Sequence, residues 1–172
     1  MNQKDKVLTS QYLYERQKNV CQKVIKAAPN IICCDIKTPE NIGSVLRVAD
    51  AVGSRKVILL SDQDAVLEHK KIKKISRSSE DVVLESSNFE DYQSDVPLIA
   101  IELTELSSNI FDTKLPETCA FVMGNERYGI ADKLLQQCES AVHIPMYGIN
   151  GSMNVSHALA IVLYEWRRQY LS

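Results

Sequence analysis

The sequence predicts an α/β domain with a parallel sheet and helices on both faces, and three observations carry the prediction. Short β-branched apolar runs recur along the chain, and stretches with helical apolar spacing separate them. Strands alternating with helices are the pattern of parallel sheets covered on two faces. The length, 172 residues with 45% apolar and 24% charged, is that of one ordinary globular domain with a substantial core.

The elements follow in order. Lys4–Ala27 is expected to be helical, with Val7, Tyr14, Val20, Val24 and Ile25 as its apolar positions and Pro29-Asn30 ending it. Ile31–Ile36 is a buried strand. A helix from Asn41 to Val52 follows, because Ile42, Val45, Leu46, Ala49 and Val52 recur at helical spacing and Gly53 stops it. Lys56–Leu60 is the next strand, and the basic segment His69–Arg77 begins as a helix. Val82–Leu84, Pro97–Leu103 and Cys119–Met123 read as further strands. Ala131–Cys138 is a short helix, Ala141–Ile144 a last strand, and Met153–Tyr170 a long final helix. The seven apolar residues Ala158–Tyr164 demand cover on most of that helix's circumference, and a second copy of the chain is the expected source.

Composition narrows the function classes. The polar start M-N-Q-K-D-K leads into no apolar h-region, and no stretch approaches the roughly 20 apolar residues of a membrane span. Five cysteines, Cys21, Cys33, Cys34, Cys119 and Cys138, make no C-x-x-C pair and are odd in number. They read as reduced residues of a cytoplasmic protein. The net charge of −2 and pI near 5.9 argue against broad nonspecific nucleic-acid binding. A local basic face at His69–Arg77 remains, either a solvated helix surface or a phosphate-contacting patch.

Several familiar sites are missing. No G-x-G-x-x-G follows a strand, and there is no phosphate-binding G-x-x-x-x-G-K-[ST]. No Cys/His set has zinc spacing, the three histidines are scattered, and Ser152 and Ser156 lie outside any G-x-S-x-G elbow. What the chain does contain is N-x-G-x-x-x-R (Asn41, Gly43, Arg47), G-N-E-R-Y-G-I (Gly124–Ile130) and I-P-M-x-G followed by S-M-N-V-S (Ile144–Ser156). The polar and glycine residues of the last two concentrate where a strand ends and a helix begins, junctions that expose backbone groups to a ligand.

These three segments resemble, in order, the motifs of the SpoU, or TrmH-like, branch of the SPOUT RNA methyltransferases. The resemblance runs from about Ile31 to Trp166 and is strongest over Gly124–Tyr164. It implies S-adenosylmethionine as methyl donor and an RNA ribose 2′-hydroxyl as acceptor. It implies one SPOUT domain over residues 1–172, with an N-terminal helical extension over 1–28. The cofactor-binding region, 119–166, would be threaded into a deep trefoil knot, a rare departure from unknotted connectivity. It also implies a homodimer that completes the active site, and no structural metal.

Residue by residue, Asn41 is either a plain N-cap of the Arg47 helix or a site residue. Gly43, one turn before Arg47, leaves room for a ribose or a partner chain. Arg47 stays protonated, so phosphate clamping and stabilisation of a developing alkoxide suit it better than proton abstraction. Glu126 is either a solvated loop carboxylate or a partner for Arg47, Asn154 or the cofactor's positive charge. Ser152 and Asn154 are good helix caps that the resemblance also places near the reacting hydroxyl. Ile101, Leu103, Gly124, Ile144, Met146 and Met153 are carried over as the cofactor cradle, with core packing as the plain alternative for each. His157 and Met153 depart from the family's usual residues, and His157 reads as a core or interface histidine.

With almost nothing outside the catalytic domain, RNA must be held by its own surface. Arg55, Lys70, Lys71, Lys73, Lys74, Arg77 and Arg127 are the candidates. The resemblance favours tRNA, with ribosomal RNA as runner-up. A catalytically silent RNA-binding protein of the same fold and an α/β small-molecule binder are the alternatives from other classes.

Overall fold

A computed structural model describes residues 9, 11–16, 28–61, 70–76, 79 and 81–170. Of the expected first helix, residues 11–16 are described and helical, and the rest lies outside the described residues. Seven strands, β1 (Asn30–Cys34), β2 (Lys56–Leu60), β3 (Val83–Ser87), β4 (Leu98–Ile101), β5 (Ser108–Asn109), β6 (Ala120–Met123) and β7 (Ser140–His143), form one sheet in the order β3-β2-β1-β6-β4-β7-β5. Every pairing is parallel. Besides residues 11–16, the α-helices among the described residues are α1 (Pro39–Val52), α2 (Lys70–Ser76), α3 (Asp132–Leu135) and α4 (Val155–Tyr170).

The central strands are buried on both sides, so successive residues enter opposite cores. Ile31 and Cys33 face one, Ile32 and Cys34 the other. The first core is roofed by α1 through Ile42, Val45, Leu46, Ala49 and Val52, by α2 through Ile72, and by α4 through Leu159, Val162, Leu163 and Trp166. The second is covered more sparsely, by Ile130 and Leu134 around the four-residue α3 and by Phe89, Tyr92 and Val96 of the loop before β4. Of the four labelled helices, α1, α2 and α4 crowd one face and the short α3 lies on the other. Burial pushes the Cys119 thiol up to about 12 and Cys138 to about 11, and raises Cys33 further, so these behave as inert core groups.

Two expectations about elements need correction. Helix α1 starts at Pro39 with Thr38 at its N-cap, so Asn41 lies inside the first turn and does not cap it. Edge strand β3 runs from Val83 to Ser87 where Val82–Leu84 was expected. Its later residues are polar and carry no apolar signal, and Glu85 instead pairs with Lys56 of β2 at 2.9 Å. The two-residue β5 has no sequence signature at all. Gly53 ends α1 in the left-handed conformation, φ 80°, as expected.

The C-terminal turn of α4 is clamped. Buried Arg167 donates from Nε at 2.8 Å, and from Nη2, to the Val52 carbonyl at the end of α1. Trp166 Nε1 donates to Pro116 O at 2.9 Å. Gln169 both donates to Thr113 O (2.9 Å) and accepts from Leu115 N (3.0 Å), and the Tyr170 hydroxyl donates to Leu115 O. Helices α1 and α4 therefore end together, and their N-termini come together at the opposite edge of the sheet.

Candidate functional site

That opposite edge is where the strands β4 and β6, neighbours in the sheet, reach their carboxyl ends. In open α/β sheets this is the usual ligand position. A crevice of about 550 Å³ opens there, walled by Ile101, Met123, Met153, Val155 and Ala158 and edged by Glu102, Glu126, Ser152 and Asn154. Its size and its mixture of apolar wall and polar rim suit a nucleoside-sized ligand.

The loop after β6 is built by two glycines and an asparagine. A Cβ on Gly124 would lie 2.1 Å from the Gly129 carbonyl carbon, so the chain can fold back only over a glycine. Gly129 has φ +70° and closes the loop through reciprocal backbone bonds with Asn125, at 2.9 and 3.0 Å. The Asn125 side chain accepts from the N–H groups of Arg127 and Tyr128, and its amide donates to Asp35 O at 2.7 Å, tying the loop to the end of β1. The loop is thus held rigid with Glu126 at its tip.

From Glu126 a directed chain of side-chain hydrogen bonds links the three sequence motifs. A carboxylate only accepts, so Asn41 must turn its amide nitrogen toward Glu126 Oε1, at 2.7 Å. The Asn41 carbonyl is then left to accept from Asn154 Nδ2, at 2.9 Å. That in turn leaves Asn154 Oδ1 to accept from the N–H and hydroxyl of Ser156, at 2.9 and 2.7 Å, which caps α4. Asn154 is both cap and site residue. Burial tends to raise the Glu126 carboxyl, but the bonds from Asn41, its own backbone and Thr38 outweigh it and hold the group below the ordinary carboxylate range. Glu126 is therefore a poor proton acceptor and a good anchor.

Other predicted residues are distributed unevenly around this site. Ile101, Gly124, Met153 and Ser152 line the crevice, whereas Leu103, Ile144 and Met146 do not. Leu103 is 71% exposed, and Ile144 packs against the helix-roofed core. Arg47 is exposed and does not line the crevice of its own chain. It lies six positions after Asn41 on α1, so the two leave the helix on different faces. Gly43 admits neither ribose nor partner: it is buried, and a Cβ there would lie 2.7 Å from Ile75 Cβ, so the glycine lets α2 pack closely on α1. His157 is exposed and is not a core residue.

Among the basic candidates, Arg55 is paired with Asp81 at 3.1 Å and Lys71 with Glu40 at 2.8 Å. Lys70, Lys73 and Lys74 are exposed on α2. Arg127 is exposed with its guanidinium 5.4 Å from the Tyr128 ring centre. Arg77 and His69 lie outside the described residues. Sequence reasoning missed Asn125, whose position at the head of a turn closed by Gly129 was a readable Asx-turn signal, and Glu102, a lone acid with no signal.

Comparison with known proteins assigns the chain to a family. The model of the SpoU rRNA Methylase family matches residues 28–164. Over 145 residues the chain is 34% identical to the 23S rRNA (guanosine-2′-O-)-methyltransferase RlmB of Neisseria meningitidis serogroup B, covering 81% of this chain and 58% of that protein. It is 29% identical to the tRNA (guanosine(18)-2′-O)-methyltransferase TARBP1 of Mus musculus, covering 82% of this chain and 9% of the relative. Among solved structures, an AdoMet-bound rRNA methyltransferase from Sinorhizobium meliloti superposes with a TM-score of 0.75 at 25% identity, over 84% of this chain and 57% of that one. The A. aeolicus TrmH/SpoU tRNA modifying enzyme shares the fold with a TM-score of 0.73 at 24% identity, over 91% of this chain and 84% of its own. The chain spans less than two thirds of the length of the curated relatives named here.

Proposed function

We propose that this chain, which belongs to the SpoU rRNA Methylase family, is a cytoplasmic RNA ribose 2′-O-methyltransferase using S-adenosylmethionine, with tRNA as its substrate. The observation that carries the reading is the Glu126–Asn41–Asn154 chain, which joins all three motifs at the rim of one crevice. A threaded C-terminal region over residues 119–166 is part of this reading, and membership of the family supports it. Ribosomal RNA is the second reading, favoured by the 34% identity to RlmB.

The residues present suit the cofactor. Gly124 and Gly129 keep the loop main chain tight beside the crevice, and Ile101, Met123 and Met153 give apolar walls for an adenine-sized ring. S-adenosylmethionine supplies a methyl group activated by its sulfonium. The protein's own task is then mostly placement, since methyl transfer needs the attacking oxygen in line with the carbon. Asn41 and Asn154 hold the N-termini of α1 and α4 in register at the crevice. Arg47, which is exposed and does not line its own crevice, serves the site of a second subunit in a homodimer, clamping the phosphate beside the reacting ribose and stabilising the developing alkoxide. Exposed Tyr164, Tyr147 and Ile149 supply apolar surface for such a partner. Lys70, Lys73, Lys74 and Arg127 are the cations best disposed to contact RNA phosphates, since Arg55 and Lys71 already have acidic partners.

The test is a map of ribose methylation in tRNA and ribosomal RNA from cells lacking the gene. Loss of one tRNA methyl group is expected. An unchanged tRNA map removes the tRNA reading, and loss in ribosomal RNA installs the alternative. A monomeric mass by light scattering at micromolar concentration counts against the dimer.

A further inference from the structure

The crevice has two carboxylates on its edge, and only Glu126 is accounted for by the relay. The other, Glu102, follows β4 directly and spans the gap between two loops. Its Oε1 accepts from the N–H of Leu103 at 3.1 Å, and its Oε2 accepts from the N–H of Ile130 at 3.2 Å. Ile130 ends the Gly124–Gly129 loop, so a single side chain joins the two segments that flank the crevice. Gly129 is fitted to it: a Cβ there would approach Glu102 Oε2 to 2.6 Å, on top of the left-handed φ of +70°. Two main-chain donors therefore hold a negative charge at a defined place on the rim. Among the lining residues only Arg127 is cationic, against Glu102 and Glu126.

We infer that Glu102 is a positioning and specificity-determining residue that makes the crevice prefer a cationic sulfonium ligand over its neutral thioether product. The inference rests on the methyl-donor reading above. Donor and product differ by one methyl group and one positive charge on sulfur. The charge of a carboxylate fixed on the rim acts on that difference. In a site open to water, such a charge alters the ratio of the two affinities by about three- to tenfold. The same carboxylate sets the spacing of the two loops, and that part of its action affects both ligands alike.

The experiment is calorimetric titration of the apoprotein with S-adenosylmethionine and with S-adenosylhomocysteine, for the wild type, Glu102→Gln and Glu102→Asp, with thermal midpoints measured alongside. Glu102→Gln keeps the size and removes the charge. It is expected to weaken the donor about three- to tenfold more than the product. Glu102→Asp keeps the charge and shortens the reach, and is expected to weaken both by similar factors. Equal weakening of the two ligands by Glu102→Gln, or none, overturns the inference while leaving the methyl-donor reading intact. A wild type that binds neither ligand overturns both.

Discussion

Helices α1 and α4 are joined at both ends, by opposite kinds of chemistry. At the C-terminal end the contact is buried: Arg167 is 6% exposed, Trp166 is 1% exposed, and the guanidinium meets the last carbonyl of α1. At the N-terminal end the contact is a single Asn154–Asn41 bond extended to Glu126, and both Asn154 and Glu126 are exposed. A buried hydrogen bond to a charged group contributes roughly 1.5–3 kcal/mol, and its loss leaves an unsatisfied group. An exposed one contributes little, because water replaces it. The anchor end therefore supplies stability, whereas the site end supplies orientation with little stability. That division leaves the site end free to adjust to a ligand without unfolding the pair.

The contrast can be broken most forcefully at the anchor. Trp166→Ala should cost about 3–5 kcal/mol in denaturant unfolding, through the lost core volume and the Pro116 bond. Arg167→Met should cost about 1–3 kcal/mol by stranding the Val52 carbonyl, while the activity of the remaining folded protein stays close to normal. A large loss of turnover without loss of stability in either variant would reverse the assignment of roles.

At the site end the expected pattern is the inverse. Arg47→Lys should leave the unfolding free energy within about 0.5 kcal/mol and cofactor binding unchanged, while single-turnover methylation falls at least about tenfold. Near-normal turnover would refute the role given to Arg47. A finer division comes from Asn154. Asn154→Ala removes the cap and should cost about 1 kcal/mol. Asn154→Asp keeps an acceptor for the Ser156 N–H but loses the donor to Asn41, so its stability should stay near the wild type while its turnover falls. Equal turnover of wild type and Asn154→Asp would show that the relay is only structural.

The smallest effect concerns pH. The Glu126 carboxyl is held below its ordinary value in the folded state. Its contribution to stability is therefore present above the unfolded carboxylate value and is lost as the pH falls through the lowered folded one. Unfolding midpoints of wild type and Glu126→Gln should accordingly converge on acidification below the carboxylate range. A constant gap between the two would mean that the relay does not depend on the charge.

Much of this was legible in the residues, but unevenly. The central strands β1, β2, β4 and β6 were readable because burial on two faces leaves short, continuous apolar runs. The edge strands β3 and β5 were displaced or missed, since an edge needs only backbone pairing and tolerates polar side chains. In the site, Asn41, Glu126, Ser152 and Asn154 were found through their motifs. Gly43 was found but misread, because a glycine in the same motif as Arg47 gives no hint that a neighbouring helix fills its space. Glu102 carries no local pattern, and its role exists only because β4 and β6 are adjacent.

By itself the amino-acid sequence determined the parallel α/β class, the helix boundary at Gly53, and the polar residues concentrated after β6 and before α4. These follow from local rules: backbone conformational preference, side-chain capping and the period of apolar positions act over a few residues. The tertiary structure alone decided which groups meet. Asn41 and Glu126 are 85 residues apart and Arg167 and Val52 are 115 apart. Such contacts depend on sheet order and on the packing of α1 against α4, and neither is encoded in any single stretch of chain.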